Sequence, residues 1–66
     1  MNKRFVIKNL NTDEYVKFSW AIDDTMLTWT SDIVDAKTYD FKNEAKYVIT
    51  TKNLTNVTII KIYVNE

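Results

Sequence analysis

The sequence predicts a small α+β domain of two layers: an antiparallel sheet of four to five strands, in the order β-β-β-(β)-α-β, with one helix packed on one face. Three observations carry this. Val, Ile, Thr, Tyr, Phe and Trp supply 31 of the 66 residues, a share suited to pleated, half-buried strands and not to a helical bundle. Apolar and polar positions alternate with the period of a strand over residues 14–20 and again over 57–64. Only the stretch behind Asp40 repeats its apolar residues at helical spacing. A chain of 66 residues is expected to form a single domain, residues 1–66, that buries only about 60% of its unfolded surface.

Taken in order, residues 4–8 (Arg4-Phe5-Val6-Ile7-Lys8) read as a short strand, and the polar cluster over 9–13 as a turn. In residues 14–20 Val16, Phe18 and Trp20 share one face, while Tyr15, Lys17 and Ser19 share the other. Asp23-Asp24-Thr25 then turns the chain into a third strand over 26–30, with Leu27 and Trp29 pointing one way. Residues 31–35 have the make-up of a capped single turn, and 36–39 of a brief extended segment or a fourth, edge strand. Asp40 is placed as N-cap of a helix reaching about residue 52, with Phe41, Ala45, Val48 and Ile49 on its packed face. Lys52 suits the negative end of that helix, and Asn53 can take the left-handed position usually given to glycine, with Leu54 folding back on the last turn. The closing strand, 57–64, is the longest and most apolar and is expected at the centre of the sheet, with Phe18, Ile60 and Ile62 meeting the helix.

The same composition excludes whole classes of chemistry. The chain has no Cys and no His, so disulfides, thiolate or imidazole catalysis and the common zinc-ligand sets are ruled out. It has no Gly and no Pro, which removes glycine-rich phosphate loops and leaves Asn and Asp to fill left-handed turn positions. Apolar runs such as Phe5-Val6-Ile7 stop at three residues, too short for a membrane span or the core of a signal peptide, and the expected location is the cytoplasm. The Asn53-Leu54-Thr55 and Asn56-Val57-Thr58 sequons therefore read as turn chemistry.

Nine basic and nine acidic residues give zero formal charge, which speaks against nucleic acid as a direct ligand. The charge is unevenly spread: residues 1–20, 21–40 and 41–66 carry +2, −4 and +2. The acidic middle holds Asp23, Asp24, Asp32, Asp35 and Asp40 against Lys37 alone, together with Trp29 and Tyr39. Those aspartates could hold a hard cation through oxygen ligands, but turns and caps account for them more simply, so neither metal nor cofactor is expected. Paired-carboxylate hydrolysis is set aside as well, because so short a chain leaves little to enclose a pocket. The aromatic residues outnumber what a core of this size can cover, and Tyr and Trp are enriched at binding hot spots. Tyr47 falls off the helix's packed face. The expected partner-binding residues are Asp23, Asp24, Trp29, Asp32, Asp35, Tyr39 and Tyr47, with core packing as the simpler use of the tryptophans.

Asn, Lys, Ile, Tyr, Phe and Met fill 31 positions, while Gly, Ala, Arg and Pro fill four, a bias that points to an AT-rich genome. With the outline Phe5-Val6-Ile7, Glu14-Tyr15-Val16, Leu27-Thr28-Trp29-Thr30, Asp35-Ala36-Lys37, Phe41 and Glu44-Ala45, the chain resembles small uncharacterised proteins of phages and prophages of low-GC Gram-positive bacteria. The resemblance implies an accessory gene product of the kind that binds a host or defence protein and blocks it. The leading expectation is thus a non-catalytic protein that inhibits or redirects a bacterial protein. The alternatives are a small nucleic-acid-binding accessory protein and a structural, self-assembling subunit. A homodimer is expected too, since a sheet without Pro or Gly has few devices that blunt its edges and zero net charge offers no repulsion.

Overall fold

A computed structural model describes residues 2–18 and 27–65. Trp20, Asp23 and Asp24 lie outside the described residues, as does the side chain of Phe18. The elements are β1 (Asn2–Asn9), β2 (Tyr15–Phe18), β3 (Leu27–Thr30), a 3-10 turn (Ile33–Asp35), α1 (Lys42–Thr51) and β4 (Val57–Val64). They form a four-stranded antiparallel sheet, ordered β3-β2-β1-β4, with α1 packed against it. Among the described residues no helix is long and apolar enough to cross a membrane.

Asn and Asp take the backbone conformations that a glycine-free chain must find elsewhere. The positive-φ residues among those described are Asp13 (59°), Asn53 (56°) and Asn56 (55°), types whose short polar side chains tolerate the left-handed region. In the β1–β2 loop, Asn9 Oδ1 accepts the N–H groups of Asn11 and Thr12 at 2.8 and 3.2 Å. Behind α1 the Leu54 N–H donates to Ile49 O (3.0 Å) and Asn53 N–H to Thr50 O (3.3 Å). This is a complete Schellman closure, and Leu54 packs onto the core as that motif requires.

β1 and β2 pair only where the hairpin closes, at Lys8 and Tyr15. Beyond that point residues 37–39 bond to both strands. Lys37 N–H donates to Val16 O at 2.9 Å, and Tyr39 exchanges both backbone bonds with Phe5 at 2.8 and 2.9 Å. The segment is therefore a single bridge bonded to two interior strands, which corrects the edge-strand alternative expected for it.

Four further expectations are corrected. β4 lies at an edge, and the central position belongs to β1, whose Val6 and Ile7 are both fully buried although they face opposite sides. Ile60 and Ile62 do not meet the helix. Pairing sets Ile59 across from Ile7 and Ile60 across from Val6, and it is Ile7, Val57 and Ile59 that join Ala45, Val48 and Ile49 in the core. Asp40 does not cap α1. The bridge at Tyr39 keeps the chain extended, so the helix starts after Phe41, whose N–H donates to Glu44 Oε1 at 3.0 Å. Asp40 instead pairs with Arg4 at 2.8 Å, and Phe41, being non-helical, leaves the packed face and is largely exposed.

Candidate functional site

The acidic stretch folds around one capped turn. Asp32 Oδ1 accepts the Val34 N–H at 3.0 Å, Asp35 N–H donates to Asp32 O at 3.0 Å and Ala36 N–H to Ile33 O at 3.2 Å. None of the turn's residues is buried. Val34 stands 85% exposed between two exposed carboxylates. An apolar tip flanked by negative charge results.

Beyond this turn, residues 37–40 and the first half of α1 enclose an open hollow of about 520 Å³, lined among others by Lys37, Tyr39, Asp40, Asn43, Glu44 and Tyr47. Tyr47 is 71% exposed on its rim, whereas Tyr39 is only 6% exposed and packs with Ile7, Val16 and Ala45. The Tyr39 hydroxyl is buried and finds no hydrogen-bond partner among the described residues. Burial first, and then the negative charge of Glu44, push its pKa up to about 12, so it remains a proton donor at any physiological pH. A second hollow of about 320 Å³ lies next to the first and shares Asp40 and Asn43 with it. It is lined by Lys3, Phe5, Phe41 and Lys42, and the Lys3 ammonium stands 5.8 Å from the Phe5 ring centroid.

Of the residues singled out in the sequence, Tyr39 and Tyr47 come together at one hollow. Asp32 and Asp35 sit exposed on the neighbouring turn and line neither hollow. Trp29 is half-buried and packs against the core across from Val16, so its ring serves the fold. Asp23 and Asp24 lie outside the described residues. Val34, Asn43, Glu44 and Phe41 were not among the surface residues the sequence singled out. An apolar pair inside a short polar turn was a usable signal for Val34, but the contribution of Asn43 and Glu44 depends on where the helix begins. Among the described residues no group of three His, Cys, Asp or Glu could hold a metal ion.

No family model matches the chain, and comparison with curated proteins and with solved structures found no match.

Proposed function

We propose that this chain is a non-catalytic accessory protein of the phage type, which binds a bacterial host or defence protein and inhibits or redirects it. The observation that carries the reading is the exposed Val34, held between the Asp32 and Asp35 carboxylates. Such a tip suits a partner surface that is basic with an apolar centre, because complementary charge steers the encounter and the apolar contact holds it. The exposed Tyr47 on the rim of the adjoining hollow supports it further.

The test replaces charge without disturbing the turn. Asn caps as well as Asp, so the Asp32→Asn/Asp35→Asn protein should keep the fold. Its affinity for a partner captured from a Gram-positive lysate should fall, and fall most at low salt, where screening is weakest. Retardation of DNA or RNA by the wild-type protein, strengthened by the same two substitutions, would instead establish the nucleic-acid alternative.

A further inference from the structure

The backbone of β1 shows which groups of β4 are left unbonded. Leu10 N–H donates to Asn56 O at 2.8 Å, continuing the β1–β4 ladder, while Phe5 and Asn9 turn their backbone groups away from β4, toward Tyr39 and Glu14. Hydrogen bonding alternates along an antiparallel pair. Even-numbered residues of β1 therefore bond to Thr58, Ile60, Ile62 and Val64, their partners in register. Val57, Ile59, Lys61 and Tyr63 then direct their N–H and C=O groups to the outer edge, where no strand pairs with them among the described residues.

We infer that this edge pairs with the same edge of a second copy, antiparallel about a two-fold axis at Ile60. The register follows from the hydrogen bonds. A two-fold perpendicular to the sheet sets residues of one face opposite each other. Centred on Ile60, it places Val57 against Tyr63 and Ile59 against Lys61, so all four outward residues find outward partners. Moving the axis to Lys61 strands Val57 and sets two ammonium groups face to face, which is destabilising; moving it to Ile59 strands Tyr63. At the chosen register the two Ile60 side chains meet at the axis, in the closer, non-hydrogen-bonded type of pair. The exposed Tyr63 lies beside the half-buried Val57 of the other copy. The edge is eight residues long, carries one charge and has no Pro, so little in it opposes pairing. The product is one continuous sheet of two four-stranded halves, with both helices on the same side.

Sedimentation equilibrium of the full chain should give twice the 7.8 kDa monomer mass at high protein concentration. Lys61→Pro removes one outward N–H and leaves the β1–β4 ladder intact, so that variant should keep its folded circular dichroism and sediment as a monomer. The chain contains no cysteine, which makes single substitutions unambiguous reporters. Ile60→Cys should cross-link to itself on mild oxidation, and Lys61→Cys much more slowly, because its opposite residue is Ile59. A wild-type protein that stays monomeric, a Lys61→Pro protein that remains dimeric, or Lys61→Cys linking as fast as Ile60→Cys would overturn the inference.

Discussion

Tyr39 shows how a single residue ties the sheet, the core and the hollow together. Its backbone bridges to Phe5, its ring fills the core, and its hydroxyl has no hydrogen-bond partner among the described residues. Folding raises its pKa from about 10 to about 12, so the folded state holds the proton more tightly than the unfolded chain. The stability this represents is complete below about pH 10 and is lost as pH climbs toward about 12, amounting to about 2 to 3 kcal/mol. Tyr39→Phe keeps the ring and deletes the unsatisfied group, so it should melt at the same or a higher temperature and lack this part of the alkaline loss. Denaturant titrations of both proteins across the alkaline range check this, and parallel loss of stability would contradict it. At Asn53 the left-handed backbone sets the expectation: Asn53→Ala should cost about 1 to 2 kcal/mol and Asn53→Gly little or nothing. The sequence made this position readable, because a chain without glycine has only Asn and Asp to spend on such turns. It could not reveal the unpartnered hydroxyl of Tyr39, which depends on the meeting of residues far apart in the chain.

At the scale of elements, alternation placed the strands well and assigned one of them to the wrong face. Residues 57–64 carry apolar side chains on both sides, with Ile59 next to Ile60, so the pattern alone does not say which side meets the helix. A shift of one residue exchanges the two faces. The better signal lay in the run Phe5-Val6-Ile7, since consecutive apolar residues mark a strand covered on both sides, and β1 is that strand. The helix was displaced by one residue for a tertiary reason, the bridge at Tyr39, after which Phe41 is still extended. Its packed face nevertheless retains Ala45, Val48 and Ile49. Ala45 is fully buried, so Ala45→Leu should overpack the helix–sheet contact and cost about 1 to 3 kcal/mol in a denaturant titration. Val48→Asp should abolish the cooperative melt, because a carboxylate without a partner in this layer costs several kcal/mol against a total of about 5 to 15. An unchanged transition in that variant would contradict the helix–sheet packing.

For the whole molecule, zero net charge conceals an acidic middle flanked by basic ends. The fold turns part of that middle into the exposed turn at Asp32 and Asp35 and brings residues 37–40 against α1, forming the hollow that holds Tyr39 and Tyr47. The acidic turn was legible in the sequence because charge and capping are local properties. The hollow was not, because it exists only once the bridge and the helix start are in place. If this surface binds a protein partner, Tyr47 is the residue that tests it with least ambiguity, because its ring is 71% exposed and lies off the packed face. Wild-type and Tyr47→Ala proteins are immobilised side by side, the captured partner is titrated onto both, and their melting temperatures are measured in parallel. The expected result is an unchanged melting temperature with affinity lowered by about tenfold or more, as for an aromatic contact residue; equal affinity of the two proteins would rule out Tyr47 as a binding residue.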